Sequence, residues 1–101
     1  MLCALTVRKL EPGTFDQFRE RFMAGTPAGE PPEGWVRFEM LRRLDDPDEV
    51  ICFGFFDGTA DELRRSSSEQ GYDEQMKAIA PFVAEVGADG LYEIVEEFAI
   101  H

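Results

Sequence analysis

The fold of this chain is decided by residues 35–56, WVRFEMLRRLDDPDEVICFGFF. In the first half, Trp35–Leu44, apolar and charged residues alternate, which is typical of a half-buried strand. The apolar positions expected on one face are Val36, Phe38, Met40 and Leu44. Asp45–Asp48 has turn composition, with Pro47 at the second position of a type I turn. Because Glu49–Phe56 follows as a second strand, the stretch predicts a β-hairpin.

A strand and a helix are predicted before this hairpin. Leu2–Val7 is a short apolar run, which favours a β-strand. Thr14 stands three residues before Gln17, the spacing of a capping box at the start of a helix. The predicted helix carries a core-facing aromatic stripe formed by Phe15, Phe18 and Phe22. Gly25 ends this helix, and Gly25–Gly34, rich in proline and glycine, is expected to be a loop.

A short helix is predicted directly after the hairpin. Thr59 and Glu62 have the spacing of a second capping box, which begins a helix that continues through Arg65. The serine run Ser66–Ser68 and Gly71 are expected to interrupt it.

A longer helix and a last strand complete the chain. Tyr72–Val86 has helical periodicity, with Gly87 as its cap. Pro81 predicts a kink or a boundary near Ala80, because proline breaks the helical hydrogen-bond pattern. Leu91–Ile100 is the predicted last strand.

The predicted order is therefore β-α-β-β-α-β, which is that of the ferredoxin-like α+β sandwich, formed by residues 1–101 as one domain. Helices in this architecture cover one face of the sheet, so the other face should be polar in a monomer. The third strand instead is apolar on both faces: Val50, Cys52 and Phe56 on one, and Ile51, Phe53 and Phe55 on the other. A second copy of the sheet is the simplest cover, so we expect a homodimer, a dimeric α/β barrel.

The charge of the chain excludes some partners. It has 21 Asp and Glu residues against 10 Lys and Arg, a formal net charge of -11. This negative field repels phosphate backbones and anionic lipid head groups, so neither nucleic acid nor a membrane is an expected partner. Two cysteines do not make a disulfide framework, and the apolar run at the start is too short for a signal peptide or a membrane span. We expect the reducing cytoplasm as the location.

Taken together, these stretches resemble the antibiotic biosynthesis monooxygenase family of dimeric α/β barrels. The likeness lies in the element order, in the hairpin LRRLDDPDEV (residues 41–50), in the strand end FGFFD (residues 53–57) and in the helix after it. It runs over almost the whole chain. It implies a homodimer with a cavity between sheet and helices that holds a small, flat, apolar or aromatic molecule.

The resemblance also implies candidate activities. Some members of the family oxidise polyketide-like phenols with dioxygen and no cofactor, and others degrade haem. Members often end the third strand with Trp, where this chain has Phe56. The haem-degrading members use an Asn and a helical His, but this chain has no Asn and its one histidine is His101. We therefore expect no haem and no other cofactor.

Other reactive groups have simpler structural explanations. His101 ends the chain, where nothing orients it as a base or a metal ligand. Cys3 and Cys52 fall on neighbouring strands. A redox pair is conceivable there, but buried apolar packing is favoured because neither thiol shows a basic neighbour. The acidic cluster 45–49 lacks the spacing of a calcium loop, so no metal site is predicted.

A ligand site is predicted from five residues. Arg42 interrupts the apolar side of the second strand, and Trp35 opens that strand beside the loop. Tyr72 begins the second long helix directly after a Ser/Gly break. With Phe53 or Phe55 as aromatic walls, the Tyr72 phenol and the Arg42 guanidinium would suit a phenolate or enolate ligand. The alternative is that Arg42 is an edge residue whose charge reaches solvent and that Tyr72 packs on the surface.

Two functions from different classes follow. The first is a cofactor-independent monooxygenase that binds an acidic phenol- or quinone-like molecule near Arg42 and lets its anion react with dioxygen. The second is a non-catalytic small-molecule-binding or interaction module that uses the same pocket or the dimer surface. The sequence offers no convincing general base, so both stay open.

Overall fold

A computed structural model describes residues 1–24 and 32–100. Most of the predicted loop over residues 25–34 lies outside these residues, and so does His101. The described residues form four strands, three α-helices and a 3₁₀ turn. In chain order these are β1 (Leu2–Leu10), α1 (Phe15–Ala24), β2 (Trp35–Arg43), β3 (Asp46–Phe56), α2 (Ala60–Glu69), α3 (Tyr72–Ile79), the 3₁₀ turn (Ala80–Phe82) and β4 (Val83–Glu93).

The strands form an antiparallel sheet in the order β2-β3-β1-β4. Helices α1 and α3 pack on one face of it, where Phe18 and Ile79 join Leu10 and Val50 in the buried core. The predicted ferredoxin-like α+β fold is confirmed by this order and by the helices on one side. Among the described residues, no helix is long and apolar enough to cross a membrane.

Three rows of side chains cross the sheet on its helix side, since residues opposite one another on antiparallel strands point to the same face. The first row contains Arg42, Val50 and Arg8; the second contains Met40, Cys52, Thr6 and Asp89; the third contains Phe38, Gly54, Ala4 and Leu91. The core lies over the first row, and the other two rows extend beyond it beneath the helices.

A β-bulge near the start of β2 corrects the predicted alternation of that strand. The register moves by one residue between Trp35 and Arg37. This extra residue turns Val36 away from the helices and leaves its side chain 52% exposed. The same bulge brings the rings of Trp35 and Phe38 together, with centroids 4.7 Å apart. The prediction that Val36 shares a face with Phe38 is therefore wrong.

The hairpin turn is tighter than predicted. Leu44 and Asp45 form it, and β3 already begins at Asp46, so that Pro47 lies inside the strand. Leu44, predicted to face the core, is fully exposed. Near a strand end the missing N–H of Pro47 is tolerated. An ion pair between Asp46 and Lys9 of β1 joins this first part of β3 to the sheet.

Helix α2 begins as predicted and runs further. The capping box is confirmed: the hydroxyl of Thr59 accepts from the backbone N–H of Glu62, and the Glu62 carboxylate accepts from the backbone N–H of Thr59, both at 3.1 Å. These bonds hold the pKa of Glu62 below its ordinary value. The helix continues through Ser66–Ser68 to Glu69, because serine is only a moderately poor helix former. The break comes at Gly71, whose φ of 78° favours glycine.

The helix predicted over Tyr72–Val86 ends early. Pro81 marks a boundary, as predicted, because α3 stops at Ile79 and the 3₁₀ turn follows. Val83–Glu93 then forms β4 and pairs with β1. The predictions of Gly87 as a helix cap and of a strand over Leu91–Ile100 are wrong in position. The hydrogen-bond ladder along the edge of β1 outweighs the helical periodicity of this stretch.

The face of the sheet away from the helices is apolar along β1 and β3, as the two-sided pattern of the strands predicted, and Arg37 and Glu39 of β2 add an ion pair to it. Its apolar residues are Cys3, Leu5 and Val7 of β1, Ile51, Phe53 and Phe55 of β3, Val36 and Leu41 of β2, and Tyr92 of β4. The rings of Phe53 and Phe55 meet edge to face with centroids 5.5 Å apart. Leu41 and Tyr92 are 45% and 47% exposed. We call these nine residues the helix-free face.

The capping box gives a stability prediction. Thr59→Ala removes the acceptor for the N–H of Glu62 and should lower the free energy of unfolding by about 1 kcal/mol. Thr59→Ser keeps a hydroxyl at the same place and should retain most of that stability. Urea unfolding of both variants measures the difference. Equal losses in the two variants would show that the hydroxyl is not what stabilises the start of α2.

Candidate functional site

A cavity of about 670 Å³ lies between the sheet and the helices. That volume is within the range of small-molecule sites. Its floor is formed by the second and third rows of the sheet together with Arg8 of the first row, and its walls come from all three helices. The helical residues that line it are Arg19, Phe22 and Met23 of α1, Leu63, Arg64, Ser67 and Ser68 of α2, and Tyr72, Asp73, Gln75 and Met76 of α3.

Aromatic rings build the wall on the β2 side. The ring of Trp35 lies against Phe38 and, edge-on, against Phe56, with the second pair of centroids 5.0 Å apart. Gly54 beneath them permits this, because a Cβ there would stand 2.7 Å from the Phe38 ring and 2.9 Å from the Trp35 ring. The indole N–H of Trp35 donates to the hydroxyl of Ser66 at 3.1 Å and so ties the wall to α2. A flat ligand ring has a matching flat surface here.

Arg8 places a positive charge at the floor of this cavity. It is only 4% exposed, and a guanidinium stays protonated at all ordinary pH values. Its Nη2 donates to the sulfur of Met76 at 3.4 Å, which is a weak acceptor. Its Nη1 is buried and has no hydrogen-bond partner among the described residues. The phenylalanine stripe of α1 covers it, with the ring centroids of Phe18 and Phe22 each 5.9 Å from the guanidinium carbon.

Such a charge is costly without an acceptor, because a buried ion loses its hydration and must be paired or hydrogen-bonded in return. No carboxylate of the described residues lies in ion-pair contact with Arg8. Because Arg8 borders the cavity, an anion bound there would compensate this charge.

Cys52 shares the floor with this charge. The thiol is buried, and burial raises its pKa, while the nearby Arg8 guanidinium opposes that rise. The expectation that neither cysteine has a basic neighbour is wrong for Cys52. The basic neighbour comes from the next strand, so the sequence around Cys52 does not show it.

Tyr72 and Asp89 stand at the mouth. Tyr72 is 41% exposed, and its pKa is raised by partial burial and then by the Asp89 carboxylate, with Arg8 acting in the opposite direction. Asp89 accepts a hydrogen bond from the hydroxyl of Thr6 at 3.1 Å. A carboxylate and a guanidinium therefore act in opposite directions on the Tyr72 phenol at this end of the cavity.

The structure brings two of the five residues predicted to bind a ligand, Trp35 and Tyr72, together at the cavity. Phe53 reaches the cavity lining, but its ring lies on the other face of the sheet, because it alternates with Cys52 and Gly54. Arg42 does not border the cavity, because it lies on the edge strand β2, where its guanidinium is 4.5 Å from the centroid of Phe15. The prediction that Arg42 and Tyr72 face one pocket is therefore wrong. Phe55 belongs to the helix-free face, and the ring of Phe53 packs against it there.

Arg8 is the site residue that the sequence analysis missed. The predicted first strand ended at Val7, although β1 continues to Leu10. Extending the alternation by three residues puts Arg8 on the same face as Thr6 and Leu10, in a strand that is central in the ferredoxin-like order. A charged residue at an inward position of a central strand was the available signal.

Metal-binding groups do not assemble around the cavity. Within residues 1–24 and 32–100, no three His, Cys, Asp or Glu side chains converge as a metal site. The predicted independence from metals and cofactors stays a prediction.

The Tyr72 phenol gives a test of this electrostatic arrangement. In a Tyr92→Phe background, it should ionise above its ordinary pKa of 10.0. Adding Asp89→Asn should lower that pKa toward 10.0 without reaching it, because burial is the larger cause. Since the folded pKa lies above the unfolded one, the contribution of Tyr72 to stability is present below pH 10 and is lost as pH rises through the folded pKa. Ultraviolet absorbance of the phenolate measures the titration. An Asp89→Asn titration identical to that of its parent would show that this carboxylate does not act on Tyr72.

Several solved structures are similar to the chain over nearly its whole length. One, a "putative antibiotic biosynthesis monooxygenase" from Deinococcus radiodurans, has a TM-score of 0.81 at 14% identity, covering 100% of this chain and 99% of that one. A protein of the same name from Nitrosomonas europaea has a TM-score of 0.79 at 17% identity, covering 95% and 100%. SnoaB, a cofactor-independent oxygenase from Streptomyces nogalater, has a TM-score of 0.67 at 19% identity, covering 95% and 94%.

No protein-family model matches the sequence, and no curated protein matches it either. The identities to the solved structures are low, so the likeness is one of fold. At that level, the predicted resemblance to the antibiotic biosynthesis monooxygenases is confirmed. The chain has the ferredoxin-like α+β fold of these monooxygenase-like structures.

Proposed function

We propose that this protein binds a phenol- or quinone-like molecule as an anion in the cavity and oxidises it with dioxygen without a cofactor. The observation that carries the proposal is the buried Arg8 guanidinium, which has one nitrogen without an acceptor among the described residues. The fold shared with SnoaB, a cofactor-independent oxygenase, supports the reaction type.

Binding uses the two halves of the cavity for two parts of the ligand. The flat ring lies on the aromatic wall of Trp35 and Phe38, where apolar contact replaces water. The anionic oxygen takes the open donor of Arg8. A charge-assisted hydrogen bond of this kind is shorter and stronger than one between neutral groups.

The same charge promotes the reaction. Arg8 favours the phenolate over the phenol, and the phenolate ring is electron-rich at the carbon para to its oxygen. That carbon gives an electron pair to dioxygen, a C–O bond forms, and the peroxide takes up a proton. Loss of water then leaves the quinone. For 1-naphthol the sum is one phenol and one dioxygen giving one quinone and one water.

A proton must leave the phenol before this step. Asp89 and Tyr72, at the mouth, are the groups of the described cavity nearest to a proton path toward solvent. Asp89 is exposed and can release a proton to water directly. The chain otherwise contributes desolvation and a fixed positive charge.

A non-catalytic binding module is the second candidate, and one observation favours it. The described aspartates that border the cavity, Asp73 and Asp89, are both exposed. A base inside the cavity would be expected of an efficient enzyme. Dioxygen uptake with 1-naphthol in the presence of a chelator separates the two: turnover supports the oxygenase, and saturable binding without turnover supports the binding module.

The Arg8 charge gives a binding prediction. Arg8→Met should weaken binding of 2-hydroxy-1,4-naphthoquinone, an anion at neutral pH, by about 1.5–3 kcal/mol, or roughly 10- to 150-fold in Kd. Titration calorimetry measures it. Arg42→Met is the matched control, since that guanidinium lies outside the cavity, and it should leave Kd unchanged.

Folding should not confound this comparison. Replacing a buried ion by an apolar side chain of similar volume is often neutral or stabilising, so Arg8→Met should unfold at a similar or higher urea concentration. Unchanged affinity in a folded Arg8→Met variant would remove the basis of the anion site.

We also propose that the protein is a homodimer in which two helix-free faces pack together. Leaving large apolar side chains in water costs about 1.5–3 kcal/mol each relative to burying them. Val36, Leu41 and Tyr92 remain half-exposed in a single chain. A two-fold pairing covers this face with an identical one and leaves no open surface for further copies.

The dimer has a direct test. Light scattering at micromolar concentration should give twice the 11.5 kDa chain mass. Phe53→Asp puts a charge in the centre of the helix-free face and should dissociate or unfold the protein. Leu44→Asp, at the fully exposed hairpin turn, is the matched control and should leave the mass unchanged. A wild-type protein that scatters as one chain would contradict the proposal.

A further inference from the structure

We propose that Cys52 is a covalent modification site, at which the protein captures an uncharged quinone inside the cavity. The proposal rests on the proposed function, since a quinone is the class of molecule that oxidation of a phenol produces. It concerns the addition of a thiol to the quinone and not the oxidation of the phenol, and it needs only that a quinone enter the cavity.

The register of the sheet places the thiol beside the buried charge. Thr6 lies opposite Cys52, and Arg8 lies opposite Val50 two residues further along β3. Arg8 and Cys52 are therefore diagonal neighbours on the same face, a separation of about 7–8 Å that a long side chain spans. Both border the cavity, and the guanidinium has a buried nitrogen without a partner among the described residues.

Charge decides when the thiol is reactive. Only the thiolate is a nucleophile, and burial alone disfavours it. Arg8 is the group that counteracts burial, so the thiolate forms to the extent that the guanidinium is free to pair with it. An anionic phenolate occupies Arg8 and suppresses the thiolate. An uncharged quinone does not, so the thiol becomes more reactive once substrate has become product.

The chemistry needs no further reagent. The Cys52 sulfur adds to a ring carbon of the quinone C=C bond, and the electron pair of that bond moves to a carbonyl oxygen. The thiol proton ends on that oxygen, and the proton from the attacked carbon moves to the second one. The product is a thioether of the hydroquinone, which contains every atom of both reactants.

Cys3 provides an internal comparison. It belongs to the helix-free face and not to the cavity lining, and burial raises its pKa with no opposing cation. A quinone added to the protein can therefore react with one thiol beside a buried arginine, Cys52, and with one thiol that has no such neighbour, Cys3.

The experiment treats the full chain with 1,4-naphthoquinone at near-neutral pH and follows adducts by intact mass and peptide mapping. The Cys3→Ser variant should take up one quinone at Cys52, and Cys52→Ser should react much more slowly. Arg8→Met in the Cys3→Ser background should react several-fold more slowly, because it removes the cation that favours the thiolate. Anionic 2-hydroxy-1,4-naphthoquinone should protect Cys52 in Cys3→Ser and not in its Arg8→Met derivative.

Three results would overturn the proposal: equal rates for the two cysteines, modification of Cys52 only in urea, or no effect of Arg8→Met on the rate. The proposed ligand site is tested separately, because Cys52→Ser keeps Arg8 and should still bind the anionic quinone. Loss of capture with retained binding would reject the Cys52 proposal alone. Loss of anion binding in the wild type would reject the ligand site.

Discussion

A single positive charge buried between α1 and the sheet organises the helix side of this protein. Arg8 is almost without exposure, is covered by the rings of Phe18 and Phe22, and donates to the sulfur of Met76, a weak acceptor. A buried guanidinium cannot lower its cost by losing its proton, unlike a lysine. Its neighbours must therefore either compensate the charge or leave room for a molecule that does. The aromatic rings of α1 compensate in part, through their negatively polarised faces.

The room beside this charge is made by backbone features as much as by side chains. The bulge in β2 rotates Trp35 to the helix side, and Gly54 leaves space for two rings over the middle of β3. The bond from Trp35 to Ser66 fixes the wall to α2. Without the bulge, alternation would put Trp35 on the helix-free face, and the cavity would lose its flat surface. An apolar wall and one buried cation suit a ligand that is flat and carries one negative charge.

The sequence predicted the fold well because its signals were local and agreed with one another. The capping box at Thr59, the boundary at Pro81 and the two-sided apolar pattern of β3 all reappear in the structure. The errors arose where long-range pairing overrides local preference. Val83–Val86 was predicted to end a helix, yet it begins β4 and pairs with β1, where its backbone groups gain ladder hydrogen bonds.

The candidate site was predictable in kind but not in position. A guanidinium near a phenol was expected, and the structure provides one, but as Arg8 rather than Arg42. The two arginines flank Val50 in the same row of the sheet, so both face the helices. What separates them is the strand order: Arg42 lies on the edge strand over Phe15, and Arg8 lies on a central strand beside the cavity. Alternation along one strand fixes the face of a residue, whereas only the pairing of strands fixes its neighbours.

The low identity to the solved structures separates what the fold shows from what the site shows. Proteins that share 14–19% of their residues with this chain keep the sheet and the helices. A sheet is specified by apolar pattern, which many sequences satisfy, whereas a ligand site depends on a few polar groups at fixed points. The reaction of this protein must therefore be argued from its own charged groups. A buried arginine that lacks a carboxylate among the described residues selects for negative charge in whatever the cavity binds. The reactivity of the neighbouring Cys52 thiol depends on whether a bound anion occupies Arg8.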